Sequence, residues 1–383
     1  MQKTSWGLVF ALWGAGLGAA AQYGKFSVIY DQLPQVYPAA GAALGFVVSV
    51  VGFVGIVFGI VAGLLVARIR YRRALLAALW AGAALSVFQA FLPPLPWMLA
   101  SRMLEGLSHL AIVVAAPTLI AQLAAPKDRG LALTLWGTFF GVAFAILTWG
   151  GVPLVLIAGI PALLAAHGLY MAVFAVFLAR RLKALEVGTP PAVSFGQVLR
   201  DHGTIYASPN ISAPALGWLF YTFCFVSILT VLPPFLEPAY RAAVMGAIPL
   251  VSIIVSMTLG IALLRVMSAV SVVLIGFAGS ALAMLWLWAV PGAPVACIAL
   301  AGAMGLVQGA SFAAVPQLNA RPAQQAQANG AMAQMGNLGN TLGTPVMALA
   351  LGGLGYAALP AVAGGAFVLG GAVHIGLALR RKG

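Results

Sequence analysis

The sequence predicts an all-α polytopic membrane protein with twelve transmembrane helices, and three observations carry that reading. Of its 383 residues, 63% are hydrophobic and only 7% charged, with a mean hydropathy of +1.06, far from the composition of soluble domains. Apolar runs long enough to cross a bilayer, roughly 20 residues each, recur between short loops rich in charge, Pro or Gly. The basic residues gather in alternate loops, as the positive-inside rule requires.

Taken in order, the runs are 6–29, 41–66, 74–92, 97–123, 130–150, 154–179, 210–235, 243–264, 269–290, 294–317, 328–351 and 356–379. The first imitates a signal peptide, with Lys3, an apolar stretch and small residues around Ala19 to Ala21. It continues beyond signal-peptide length, so it reads as an uncleaved transmembrane helix. Connections such as Leu92-Pro93-Pro94-Leu95-Pro96 are short, which makes sequential helices antiparallel neighbours. With the N-terminus inside, all but three of the 19 basic residues fall on one face: Lys3, Arg68 to Arg73, Lys127, Arg129, Arg180 to Lys183, Arg200, Arg265, Arg321 and Arg380 to Lys382. Both termini are therefore expected in the cytoplasm of a cell with the protein in its inner membrane. The same pattern accounts for the net charge of +13 without any nucleic-acid partner.

Residues 181–209 form the longest polar connection, with Thr189-Pro190-Pro191 and a weakly amphipathic piece from Val193 to Arg200. They divide the chain into an N-terminal six-helix half, 1–180, and a C-terminal one, 210–383. Internal matches support a repeat: Gly63 to Arg68 pairs with Gly260 to Arg265 at an offset of 197, and Gly106, Pro117 and Gly137 pair with Gly305, Pro316 and Gly336 at 199. Parallel repeats of this kind build transporters whose site lies at the interface of the halves.

The fourth run carries Arg102-Met103-Leu104-Glu105-Gly106-Leu107-Ser108-His109. Arg102, Glu105 and His109 share one helical face at i, i+3 and i+7. Ionisable groups at membrane depth are costly and mark functional sites. In the first run, Gln22 and Lys25 share a face, and Lys25 lies roughly 28 Å beyond Trp6, a depth comparable to Arg102. The eleventh run has a polar stripe, Gln327, Gln334, Asn337, Thr341 and Thr344, beside Gly336, Gly339 and Gly343. Such a stripe must face protein or water, and the glycines offer close helix packing as a competing explanation. Gln308 and Ser311 in the tenth run, Tyr221 and Cys224 in the seventh and Trp136 in the fifth add neutral donors and aromatics.

On these features the chain resembles the major facilitator superfamily over its whole length, with six plus six spans, both termini inside and a longer central loop. Gly63-Leu64-Leu65-Val66-Ala67-Arg68-Ile69-Arg70-Tyr71-Arg72-Arg73 is similar to the family's loop motif G-x-L-A-D-R-x-G-R-[KR]-[KR], with Ala67 at the Asp position and Arg70 at the second Gly. Arg102-Met103-Leu104-Glu105-Gly106 resembles the fourth-span motif R-x-x-Q-G, with Glu105 in place of Gln. The fifth span reads Gly137-Thr138-Phe139-Phe140-Gly141 and lacks the Pro of the antiporter motif.

The resemblance implies a fold of two pseudo-symmetric six-helix halves, a gating loop at Gly63, Arg68 and Arg72, and Arg102 facing a central cavity beside span one. Lys25, Arg102 and Glu105 would then meet with a local charge of +1, a setting suited to a carboxylate or phosphate. The expected function is secondary active transport of a small organic anion by alternating access, coupled to protons. Substrate contacts would come from Gln22, Lys25, Arg102, Trp136, Tyr221, Gln308, Ser311, Gln334, Asn337 and Thr341, and proton coupling from Glu105 and His109. His167 and His374 read as structural. A drug or metabolite/proton antiporter is the alternative, weakened by the fifth span and Ala67, and a non-transporting receptor would not need the charged face. No enzyme site, Walker-type loop or cofactor motif is present. Cys224, Cys297 and the scattered Met residues read as core with no metal spacing. The expected partners are the substrate, protons and the lipid bilayer, with the protein a monomer.

Overall fold

The computed structural model describes residues 3–59, 61–182 and 195–381, and every regular element among them is helical. Helix α1 is Trp6–Ser27. Helix α2 is Gly41–Phe58, tightened to a 3-10 turn at Val50–Gly52 and followed by Ala62–Ile69. Next come α3, Tyr71–Ala90, and α4, Leu95–Leu123. Helix α5 covers 129–158 and α6 covers 160–181. A connecting helix, Phe195–Ala207, leads to α7, Ser212–Val231. The rest are α8 (Pro238–Leu264), α9 (Ala269–Ala289), α10 (Pro294–Leu318), α11 (Pro322–Leu354) and α12 (Ala358–Arg380). Nine stretches of the described residues are long and apolar enough to cross a membrane, and two of them, Phe139–Arg181 and Ala323–Arg380, contain two passes each. With α1, these make a twelve-pass membrane protein.

One boundary departs from the sequence expectation. The break between spans five and six was expected at 151–153, but α5 runs through Gly150-Gly151-Val152-Pro153 and the chain turns at Gly159, where φ is 82°. Only glycine adopts that backbone cheaply. Pro161, two residues on, sits where a starting helix has no use for the missing N–H. A π-turn at Leu147–Gly151 precedes Pro153 and accommodates it inside the helix. Of the connecting segment, 183–194 lies outside the described residues, Thr189-Pro190-Pro191 included.

The packing repeats itself. Pairings α1–α4, α1–α5, α1–α6, α2–α4, α3–α4 and α3–α6 recur as α7–α10, α7–α11, α7–α12, α8–α10, α9–α10 and α9–α12. The sequence match of Gly106 with Gly305 has a physical basis in this repeat. A Cβ on Gly106 would collide with the Val51 carbonyl of α2, and one on Gly305 with the Ser252 carbonyl of α8. Pro117 and Pro316 likewise sit inside α4 and α10. Gly137 and Gly336 do not correspond in role: Gly137 is in open space, whereas Gly336 packs on Trp218. The two sets of helices meet through α2–α11, α5–α8 and α1–α7.

Both termini lie on one side, called the terminal side here. The start of α1 is tied to the end of α4 by Ser5 N to Leu123 O (3.2 Å), and the end of α12 to the start of α7 by Arg381 Nη1 to Pro209 O (2.9 Å). Towards the opposite, far side one core is shared by the two sets, joining Phe26, Leu44, Val48 and Phe144 to Phe225, Leu229, Met245 and Ile248. Towards the terminal side the cores are separate, one around Leu12, Leu75 and Leu119, the other around Ile205, Val315 and Met332. The far end is also latched by Ser27 Oγ to Thr230 Oγ1 (2.7 Å) and by Trp149 Nε1 to the Ala242 carbonyl (2.9 Å). The two sets of helices thus share a core on the far side and keep separate cores on the terminal side.

Candidate functional site

The polar faces of α1, α3, α4 and α6 converge on Glu105. Its Oε1 accepts from Lys25 Nζ at 2.7 Å, and its Oε2 accepts from Arg102 Nη1 and from Gln89 Nε2, the latter at 2.9 Å. Lys25, Arg102, Glu105 and Gln89 have no solvent exposure. The pairs of Glu105 with Lys25 and Arg102 are the ion pairs among the described residues. Two buried cations therefore share one carboxylate. Such a cluster persists only when its remaining donors are also satisfied.

They are. Lys25 Nζ donates to Ser86 Oγ at 2.9 Å and lies 3.4 Å from His167 Nδ1. Ser86 donates to the Leu164 carbonyl at 2.9 Å. His167 Nε2 faces the Gly18 carbonyl at 2.9 Å and so must donate, which leaves Nδ1 as an acceptor towards Lys25; the Ser86 hydroxyl, 2.9 Å from this nitrogen, has one proton to divide between it and the Leu164 carbonyl. Gln89 also donates to Ser101 Oγ at 3.2 Å. Arg102 sends Nε to the Val47 carbonyl (2.7 Å) and Nη2 to the Val48 carbonyl (3.0 Å), with its guanidinium 4.7 Å from the centre of the Phe26 ring. These two carbonyls precede the 3-10 turn of α2 at Val50–Gly52, where the α-helical ladder is interrupted. Arg102 thus fastens α2 to the charged cluster.

Around this centre, His109 Nδ1 donates to the Ala19 carbonyl at 3.0 Å, and its ring stands edge-on to Tyr23 at 5.1 Å. Gln22 Nε2 donates to Ser108 Oγ at 2.9 Å, while Gln22 Oε1 is buried with no hydrogen-bond partner, and the buried Tyr23 hydroxyl faces the side chain of Asn340 on α11. The face at i, i+3 and i+7 on α4 is real, and Lys25 and Gln22 come to it as expected. Ser86 and Gln89 were not named from the sequence. Ser86 and Gln89 are polar residues three apart in an apolar run, a signal of the same kind as Arg102 and Glu105. His167, read from sequence as structural, is in hydrogen-bonding range of the cluster.

The eleventh-span stripe is placed differently from its expected role as a cavity lining. Gln334, Asn337 and Thr341 lie on the seam with α2. Gln334 Nε2 donates to the Ile56 carbonyl at 2.8 Å, Asn337 fills the space at Gly55, and Thr341 Oγ1 abuts Gly52. The cause is on α2: with no side chains at Gly45, Gly52, Gly55 and Gly59, its backbone comes against α11, where a Cβ on Gly45 would lie 2.6 Å from Pro345 Cα. Gly336, Gly339 and Gly343 instead admit α7. Tyr206 of the connecting helix donates to Gln334 Oε1 at 2.6 Å.

The other expected contacts are dispersed. Trp136 stacks on Phe139 at 4.5 Å, and Tyr221 on Trp218 at 4.5 Å. Gln308 is half-buried on α10, and Ser311 is buried with no partner for its hydroxyl. In the expected gating loop, Arg72 caps α6 through the Leu182 (2.6 Å) and Ala179 (2.8 Å) carbonyls, Arg68 is exposed, and Gly63 lies in Ala62–Ile69.

Comparison with known proteins decides the family. The model of the Major Facilitator Superfamily matches residues 8–344. The chain belongs to the Major Facilitator Superfamily. It is a membrane transporter rather than an enzyme. Among solved structures, the human organic anion transporter MFSD10 (TETRAN) is similar at a TM-score of 0.70 and 17% identity, over 95% of this chain and 98% of that one. A bacterial homolog of the human lysosomal transporter Spinster, in an inward-facing and unoccupied conformation, is similar at a TM-score of 0.71 and 14% identity, over 97% and 94%. At these identities the likeness is one of fold. No curated protein matches the chain.

Proposed function

We propose that this superfamily member is a secondary active transporter of a small organic anion, coupled to protons, working by alternating access of residues 1–180 against 210–383. The observation that carries the reading is the charge balance at Glu105: Lys25 and Arg102 against one carboxylate, all without solvent exposure. A dry site with a surplus positive charge is expensive unless an anion completes it. A substrate carboxylate supplies that anion, and Arg102 can bind it through its planar fork. The fold is similar to that of a protein described as an organic anion transporter.

In the mechanism, Glu105 is the occupant that the substrate displaces. Protonation of Glu105 removes the charge that holds Lys25 and Arg102, freeing both cations for the incoming anion. His109, at the edge of the cluster, is the second proton-handling group. Arg102 is also hydrogen-bonded to the α2 carbonyls of Val47 and Val48. A change of partner at Arg102 therefore pulls on α2, whose seam with α11 joins the two sets of helices. With the basic loops in the cytoplasm of a cell's inner membrane, the terminal side, where the two cores are separate, is the side that faces inward.

The test is a thermal-shift screen of the purified protein against carboxylates, phosphates and cationic drugs, repeated with Arg102→Lys, which keeps the charge and loses the fork. Stabilisation by anions that weakens in the variant is expected. Stabilisation by cations alone overturns the anion reading. Transport of a stabilising carboxylate into proteoliposomes whose pH dependence is unchanged by Glu105→Gln overturns the coupling assignment.

A further inference from the structure

We infer that the substrate carries an aromatic ring as well as an anionic group, and that the ring is held between two flights of aromatic side chains that diverge from a junction of Phe140 and Phe225. The anionic group rests on the reading above; the ring rests on a separate observation. On α5, Phe140 meets Phe139 edge-on at 5.8 Å, and Phe139 stacks on Trp136 at 4.5 Å. On α7, Phe225 stacks on Tyr221 at 5.6 Å, and Tyr221 on Trp218 at 4.5 Å. The flights touch where Phe140 meets Phe225, with centroids 6.2 Å apart.

Chain direction gives the shape. Both α5 and α7 start on the terminal side, so Trp136 and Trp218 lie at similar depth, roughly 10 Å in at 1.5 Å per residue, and Phe140 and Phe225 lie deeper, at about 17 to 20 Å. Beyond the junction the core is shared between the two sets of helices, and before it the cores are separate. Trp136 leans on Gly16 of α1, and Trp218 on Gly336 of α11, so each flight follows its own wall. Trp136, Phe139, Phe140 and Trp218 are each partly exposed. Trp136, Phe139, Phe140 and Trp218 therefore present their rings on the terminal side of the junction, with Tyr221 and Phe225 buried behind them.

The apex also connects to the charge. Tyr23 lies 5.8 Å from Phe140 and 5.1 Å from His109. One turn along α1, Phe26 carries the Arg102 guanidinium on its ring. A molecule whose carboxylate points to Arg102 and Lys25 thus extends its body past Tyr23 into the aromatic cleft. Aliphatic side chains would serve an aliphatic body equally well. Stacked rings add an attraction reserved for another ring, about two- to tenfold in affinity for each pair.

The experiment uses the full-length protein in detergent with three probes: 2-naphthoate, cyclohexylacetate and 2-naphthylmethylamine. Binding is read by equilibrium dialysis, and the melting temperature of each unliganded variant checks its fold. The expected result is 2-naphthoate at least tenfold tighter than cyclohexylacetate. Trp136→Leu and Trp218→Leu should each weaken 2-naphthoate two- to tenfold and leave cyclohexylacetate within twofold, and Trp136→Phe should restore most of the loss. Equal binding of the two carboxylates, or equal loss of both in the Leu variants, overturns the ring inference and leaves the anion reading standing. Preference for 2-naphthylmethylamine over 2-naphthoate does the reverse. Binding of none of the three overturns the ring inference.

Discussion

Helix pairs α2–α4 and α8–α10 are the same joint built twice and held in different ways. In both, a glycine of the second helix meets a carbonyl of the first, Gly106 at Val51 and Gly305 at Ser252. At the offset of 199, Arg102, Glu105 and His109 correspond to Ala301, Met304 and Gln308. In the first joint, Arg102 donates to two α2 carbonyls and Glu105 gathers Lys25 and Gln89. In the second, the bond runs the other way: Ser252 of α8 donates to the Ala301 carbonyl at 2.7 Å, and Met304 is plain core. The shared scaffold therefore needs only the glycine contact. The charges in the first joint are an addition to it, and a costly one to bury.

The sharpest way to break this comparison is Glu105→Gln beside Met304→Leu. The first strands two buried cations and should cost about 3–5 kcal/mol. The second conserves volume and should cost less than about 1.5 kcal/mol, with thermal unfolding in detergent reading both. Similar costs would show that the charges do not hold the first joint. Next, Gly106→Ala and Gly305→Ala should each lose about 1–3 kcal/mol in the same assay, because the added methyl meets backbone rather than a movable side chain. A loss at Gly106 alone would break the claim that the two joints share their contact. Ser252→Ala removes the single hydroxyl bond of the second joint and should cost about 1 kcal/mol, well below the loss from Glu105→Gln.

The smallest effect concerns the loops that follow the two joints. Arg70, at the position of a glycine in the family motif, has φ 74°, whereas Met267, its counterpart at the offset of 197, is not among the positive-φ residues. Arg70→Gly relieves that backbone and should stabilise by about 0.5–1 kcal/mol after the entropic cost of glycine. Met267→Gly should destabilise, and the opposite signs are the measurement.

Hydropathy and the positions of Arg and Lys were enough to read twelve passes, since a bilayer demands long apolar helices whatever their neighbours. Helical periodicity likewise put Arg102, Glu105 and His109 on one face, because the geometry of a single helix decides that. Periodicity does not say what a face looks at. His167, Ser86 and Gln89 belong to other helices and reach Lys25 and Glu105 only because α4 and α6 pack on α1 and α3 packs on both of them. The polar stripe of α11 reads the same whether it lines a cavity or abuts a helix, and the glycines of α2 decide for contact. The turn between α5 and α6 was misplaced for a related reason: Gly150-Gly151-Val152-Pro153 looks like a break, yet Gly159 supplies the one backbone angle that reverses the chain. By itself the sequence determined what must cross the membrane and which charges enter it, since burial in lipid penalises every residue independently. Tertiary structure alone decided which side chains neutralise those charges and which faces meet, because those are pairwise energies between distant parts of the chain.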